Sequence, residues 1–86
     1  MKSFTVLWRQ TALDQLAEIW LRAGNRSQVN ESVEAIDALL STDPSSDLTS
    51  ELAEGLRTVT VIPLRVIYAV QAADCIVDVA TVRQVE

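Results

Sequence analysis

Three features of the 86-residue sequence predict an α+β domain with the element order β-α-α-β-β-β. A strand-like alternation opens the chain, two segments of helical period follow, and two β-rich runs with short turns fill the second half. Helices and strands that are grouped rather than interleaved are typical of α+β folds. We expect residues 1–86 to form one domain, an antiparallel sheet with a helical hairpin packed on one face.

The first strand is predicted over residues 3–10, SFTVLWRQ, where side chains of two kinds alternate. Phe4, Val6 and Trp8 share one side of this strand, so that side is expected to be buried. The alternation does not say which other strand it pairs with.

Two helices follow, and their short connection predicts that they lie antiparallel. Thr11 and Asp14 resemble a capping box at the start of the first helix, which Gly24 ends. Ser27 is the expected cap of the second helix, which ends before Asp43-Pro44 because a residue preceding proline is disfavoured in the helical region. The predicted buried stripes are Leu13, Leu16, Trp20 and Ala23 in the first helix, and Val29, Val33, Ile36 and Leu40 in the second.

A polar stretch, residues 43–53, is expected to be a loop that returns the chain to the sheet. Beyond it, a turn at Ile62-Pro63 pairs Val59 with Val66 and Arg57 with Tyr68, all facing the helices.

A second turn over residues 71–74 leads to the last strand. There the expected register sets Cys75, Val77 and Val79 beside Val70, Tyr68 and Val66. The uncovered face then carries Thr58, Thr60, Arg65 and Asp78, and Asp78 lies diagonal to Arg65.

The composition limits the chemistry that is available. A net charge of -5, shared between both halves of the chain, repels phosphate backbones unless the arginines cluster. The chain has no histidine, and its one cysteine, Cys75, is expected to be a buried structural thiol. We therefore expect no cofactor and no zinc site. No apolar run is long enough for a membrane span, and Lys2 and Arg9 bracket too short an apolar stretch for a signal peptide, so we expect a cytoplasmic protein.

The motifs and their order resemble the RelE/ParE toxin superfamily of bacterial type II toxin-antitoxin systems, also called plasmid stabilisation proteins. They are A-x-x-x-L-x-x-I-W at residues 12–20, A-I-D-A-L-L at 35–40, G-L-R at 55–57 and L-R-V-I-Y at 64–68. The resemblance implies an antitoxin partner and a cellular target, which is the ribosome with its mRNA in one branch of the family and DNA gyrase in another. In the endonuclease branch it implies catalysis by Arg65, Arg57 and Arg83. The chain departs from that branch in having threonines and valines where the endonucleases place lysines, and in having no histidine and no aromatic residue near Arg83.

Each candidate residue also has a structural interpretation. Arg65 either binds phosphate or pairs with Asp78, and both alternatives stay open. For Arg57 a structural role is favoured, with its stem over Tyr68 and its head at the sheet edge. Arg83 is interpreted as a solvent-exposed residue at the end of the last strand.

Three functions remain. The favoured one is a toxin-like protein that binds an antitoxin and a cellular target, with weak or no catalysis. The alternatives are a ribosome-dependent mRNA endonuclease and an unrelated interaction domain that forms a homodimer through its open sheet face or an exposed edge.

Overall fold

The computed structural model describes residues 3–85, so Lys2, which the sequence analysis used in arguing against a signal peptide, lies outside the described residues. Within that range the chain forms five strands, two α-helices and one short 3-10 turn. In chain order they are β1 (Thr5–Trp8), α1 (Gln10–Arg22), α2 (Arg26–Thr42), β2 (Thr49–Ala53), β3 (Leu56–Val61), β4 (Leu64–Gln71), the turn Ala72–Asp74 and β5 (Ile76–Gln84). The predicted α+β class and helical hairpin are confirmed. Neither α1 nor α2 has the length and apolar character of a bilayer-crossing helix.

The sheet has the order β1-β5-β4-β3-β2 and is mixed rather than wholly antiparallel. The first strand, whose partner the sequence left open, runs parallel to β5, with Val6 beside Val77 and Trp8 beside Val79. The other neighbouring strands are antiparallel. The sheet therefore has β1 at one edge and β2 at the other.

The prediction that residues 43–53 are a loop is wrong for its second half, where Thr49–Ala53 forms β2. This strand pairs only with β3, and of its residues only Thr49 is buried. An edge strand with solvent on most of its surface has little need of apolar side chains, so its sequence looks like a loop.

Both predicted helix caps are wrong, although the helices themselves are confirmed. Helix α1 begins at Gln10 directly after β1, and its N-cap Arg9 makes no side-chain capping bond. Helix α2 is capped by Asn25, whose side-chain oxygen accepts the backbone N–H of Gln28 at 3.1 Å. Helix α2 ends at Thr42, directly before Asp43-Pro44, as predicted.

The core lies between the helices and the covered face of the sheet. Tyr68 is fully buried there, as predicted, and its hydroxyl donates to the Pro44 carbonyl at 2.6 Å. The predicted pairing of β3 with β4 is confirmed, including Val59 opposite Val66 and Arg57 opposite Tyr68. The core comprises Ala12, Val29, Ile36, Leu40, Val59, Leu64, Val66, Tyr68, Val77, Val79 and Val82.

The predicted register between β4 and β5 is wrong. Tyr68 lies opposite Val79 rather than Val77, because Cys75 belongs to the turn and the pairing begins with Gln71 opposite Ile76. Val66 lies opposite Val82, because β5 carries one extra residue, Ala80, between the partners of Tyr68 and Ile67. A bulge of this kind lets side chains at an odd spacing face the same side. Cys75, expected in the buried strand, instead ends the 3-10 turn with a left-handed backbone (φ 53°) and is only half-buried.

Candidate functional site

Two arginines meet on the open face of the sheet, the face that the helices leave uncovered. Arg65 of β4 and Arg83 of β5 are direct partners across the antiparallel pair, and both are exposed. With Ile67 and Thr81 they line a shallow depression of about 240 Å³, which we call the arginine cleft. Its volume is below the roughly 300–1,000 Å³ of small-molecule sites, so it suits a group the size of a phosphate.

A buried threonine holds Arg65 in place. Thr58 donates its hydroxyl proton to the Val66 carbonyl at 2.8 Å, and its Oγ1 accepts Arg65 Nε at 3.2 Å. Thr58 is only 7% exposed although it lies on the open face, so this contact is largely shielded from water. The bond engages the Nε–H of Arg65, so the four N–H groups on the two terminal nitrogens of the guanidinium are not used by Thr58.

The predicted pairing of Arg65 with Asp78 is wrong. Asp78 lies opposite Ala69, because the turn extends to Cys75 and the pairing begins at Ile76, and it binds Arg9 instead. Arg9 Nε is 3.0 Å from both carboxylate oxygens and Nη2 is 2.9 Å from Oδ2. The hydrogen bond and the charge of Asp78 raise the pKa of Arg9, and since an arginine pKa lies far above neutral, the pair persists throughout the neutral pH range.

The arginine cleft therefore keeps its positive charge. Within residues 3–85, neither Arg65 nor Arg83 forms a salt bridge. Like charges directly opposite each other on neighbouring strands are destabilising, and a bound anion would relieve that repulsion. Of the two interpretations of Arg65, the structure rules out neutralisation by Asp78.

Arg57, the third predicted site residue, does not join this cluster. It lies opposite Tyr68, on the side of the sheet that the helices cover. Its Nε and Nη2 donate to Thr49 Oγ1 at 3.1 and 2.8 Å. These bonds tie β3 to the start of edge strand β2, as the structural interpretation of Arg57 anticipated.

The cleft offers charge but no group suited to moving protons. The chain has no histidine, and Tyr68, the one tyrosine, is buried on the opposite face. Within residues 3–85 no cluster of three potential metal ligands exists. General acid–base catalysis requires a titrating group within hydrogen-bond reach of the reacting atoms, and guanidinium groups stay protonated. The arrangement can bind and orient an anion.

A second surface, the helix groove, runs between α1 and α2 and has a volume of about 430 Å³. It is almost wholly apolar. The residues that line it are Leu13, Leu16, Ala17, Trp20, Leu21, Val29, Asn30 and Val33.

Trp20 belongs to this groove, and its predicted place in the core is wrong. The side that α1 turns to the core carries Ala12, Leu16 and Ile19 instead. Trp20 is 37% exposed, and the Arg26 guanidinium lies 4.4 Å from the centre of its ring. Leu21, which the sequence analysis did not single out, is 66% exposed. A stripe of apolar residues shows which side of a helix is apolar, but not which of those residues pack in the core and which line an exposed groove.

Comparisons with solved structures identify the fold. The toxin-antitoxin complex RelBE2 from Mycobacterium tuberculosis matches with a TM-score of 0.80 at 20% identity, covering 98% of this chain and 93% of that one. The archaeal RelE-RelB complex from Pyrococcus horikoshii gives 0.70 at 16% identity, covering 95% and 94%. The chromosomal ParDE system of P. aeruginosa gives 0.69 at 15% identity, covering 98% of both chains.

The chain thus has the fold shared by RelE and ParE toxins, as the motifs predicted. No protein-family model matches the sequence, and no curated protein matches it.

Proposed function

We propose that this protein is the toxin-like component of a type II toxin-antitoxin system, and that it acts by binding, with weak or no catalysis. One observation carries the proposal, namely the helix groove on a protein whose fold is that of RelE and ParE. Monomeric proteins rarely expose contiguous apolar concavities unless a partner covers them. Structures with this fold include complexes of toxin with antitoxin, which supports an antitoxin as the partner.

The antitoxin segment that fits the groove is an amphipathic helix. Leu13 and Leu21 project far enough to be 43% and 66% exposed, and they flank a trough floored by Val29 and Val33. A helix that lays one apolar face into such a trough is a common mode of recognition. Its apolar side chains would cover the leucines that water now contacts.

The target of the open face is proposed to be a phosphate-bearing macromolecule, as mRNA on the ribosome would be. Arg65 and Arg83 supply two adjacent guanidinium groups that no carboxylate within residues 3–85 neutralises. Guanidinium binds phosphate oxygens in a fixed fork geometry. DNA gyrase, as a protein target, would gain less from this cleft.

We expect weak catalysis because, within residues 3–85, the arginine cleft has no side chain suited to taking up or giving a proton. Cleavage of RNA by its own 2'-hydroxyl needs one group to take a proton and another to give one. Two arginines stabilise developing negative charge but do neither. We therefore expect binding of RNA to exceed any cleavage of it.

The antitoxin part is tested by expressing the tagged chain together with the small open reading frames that flank its gene. Wild-type protein is expected to co-purify with one of them. Leu21→Glu, which puts a charge on the groove wall, is expected to abolish this. The matched control is Leu48→Glu, because Leu48 is 76% exposed but lies outside the groove. Co-purification that survives Leu21→Glu would contradict the proposal. A homodimer that forms without any partner and that Leu21→Glu leaves intact would favour the interaction-domain alternative, whose interface is the open sheet face or an exposed edge.

The proposed phosphate-bearing target is tested by measuring cell growth and RNA binding. Expression of the chain alone is expected to be tolerated or mildly inhibitory, and Arg65→Ala to weaken RNA binding. Arg26→Ala is the control, since Arg26 is exposed but stacks on Trp20, outside the arginine cleft. Strong growth arrest with ribosome-dependent mRNA cleavage, both lost in folded Arg65→Ala, would overturn weak catalysis in favour of the endonuclease.

A further inference from the structure

We propose that the partner segment in the helix groove is cationic, with lysines or arginines beside its apolar residues. This inference rests on the proposed function and specifies the chemistry of the partner. Its starting point is the distribution of charge along the chain. Between residues 10 and 54, which include both helices, the chain has nine acidic residues and two arginines. The net charge of -5 is therefore concentrated on the helical layer and its loop.

Carboxylates flank the helix groove on both helices, although none is among the residues that line it. On α1, Asp14 lies three residues before Ala17, and Glu18 lies three residues before Leu21, so each shares a side of the helix with a lining residue. On α2, Glu34 and Asp37 lie four residues after Asn30 and Val33 respectively, which places them along the same rows of the helix. All four carboxylate residues are exposed.

The two arginines near the groove are already engaged. Arg22 Nη2 lies 3.3 Å from Glu18 and compensates that carboxylate. Arg26 stacks on Trp20, and its Nε and Nη2 donate to the carbonyls of Trp20 and Leu21 at 3.1 and 3.3 Å. Arg26 thus serves the exposed carbonyls at the end of α1.

Three carboxylates remain without a cationic partner within residues 3–85. Asp14 accepts a hydrogen bond from the neutral Gln10 amide at 2.8 Å. Asp37 accepts one from the Trp8 ring N–H at 3.4 Å. Glu34 forms no ion pair in the described part of the chain. A helix seated in the groove would bring its flanking side chains beside these three groups.

The negative charge of these three carboxylates determines which partner helices bind in the groove. An anionic helix would be repelled on both sides of the groove, whereas a cationic one would be attracted and guided to it. Each exposed pair contributes little, so the selectivity comes from several pairs acting together. We expect about a tenfold difference in affinity between oppositely charged helices at low salt, which salt would largely remove.

The test uses two synthetic helical peptides of about 18 residues with one shared leucine face and either lysine or glutamate at the flanking positions. Titration calorimetry and Trp20 fluorescence measure binding to the wild-type chain. The lysine peptide is expected to bind about tenfold more tightly than the glutamate peptide at low salt. Equal binding, tighter binding of the glutamate peptide, or no binding of either would overturn the proposal.

A matched pair of triple variants localises the effect. Asp14→Asn, Glu34→Gln and Asp37→Asn together are expected to remove the preference for the lysine peptide. The control variant combines Asp47→Asn, Glu51→Gln and Glu54→Gln, which remove the same amount of charge from the loop and edge strand beyond α2. It is expected to retain the preference for the lysine peptide. If both triple variants lost the preference equally, the net charge of the protein, and not the carboxylates beside the groove, would determine which peptide binds more tightly. An antitoxin that needs Leu21 but binds through an acidic helix would refute this inference and leave the proposed function intact.

Discussion

Replacing Arg83 by glutamine is expected to make the protein more stable, because Arg83 and Arg65 repel each other across β4 and β5. Like charges directly opposite each other cost about 0.2–1 kcal/mol, and exposure puts this pair toward the low end. For a chain of this size such a gain raises the Tm by about 1–6 °C. Arg83→Gln is also expected to weaken binding of a short RNA, since half of the cleft's charge is lost.

The repulsion itself is measured by a double-mutant cycle with Arg65→Gln. That single variant also loses the bond from Arg65 Nε to Thr58, but the cycle cancels this contribution because it occurs on both branches. We expect the double variant to be less stable than the sum of the single effects predicts. Urea is the suitable denaturant, because guanidinium chloride is a salt and would screen the interaction. A destabilised Arg83→Gln protein, or strictly additive effects at low salt, would refute the reasoning.

Three further predictions concern the free energy of unfolding in urea. Tyr68→Phe leaves a buried carbonyl without its donor and should cost about 1–3 kcal/mol; a cost below this range would show that the hydroxyl bond is dispensable. Leu64→Ala in the core should cost about 2–5 kcal/mol, whereas Leu48→Ala, at 76% exposure, should change stability by less than about 0.5 kcal/mol. Gly55→Ala should destabilise because Gly55 has a φ of 81°, and Gly24→Ala, with open space around it, is the control that should not.

The parts of the fold that could be predicted are those that local pattern specifies. Alternation in β3 and β4 places Val59 and Val66 on the buried face, and a slip of one residue would expose every valine. The Ile62-Pro63 turn then fixes the register of that pair. Helix α2 was predictable for the same reason, since Ile36 and Leu40 recur at helical spacing and are fully buried.

The rest depends on contacts that are distant in sequence. The register of β5 rests on the turn that includes Cys75 and, beyond Val79, on the extra residue at Ala80, and no local signal distinguishes a bulge from regular alternation. The neighbour of β1 is a strand about 70 residues later in the chain. These two features decide the site, because together they bring Arg9 to Asp78 and leave Arg65 opposite Arg83. The sequence analysis named Arg65 and Arg83, which the structure places opposite each other, but it expected Asp78 rather than Arg83 beside Arg65.

The distribution of charge resolves the conflict between an acidic protein and a phosphate-binding face. A net charge of -5 predicts repulsion of nucleic acid only if the charge is spread evenly. Between residues 10 and 54 the acidic residues outnumber the arginines by nine to two, whereas residues 56–85 have three arginines and two aspartates. Of those aspartates, Asp78 is neutralised by Arg9. At physiological salt, charges more than about 8 Å apart are largely screened, so a phosphate in the arginine cleft responds chiefly to the groups beside it. These are Arg65 and Arg83 of the cleft, with Glu18 and Arg22 of α1 on the other side of Arg83. One acidic chain can therefore present an apolar groove flanked by carboxylates to the proposed protein partner and a cationic cleft to the proposed phosphate.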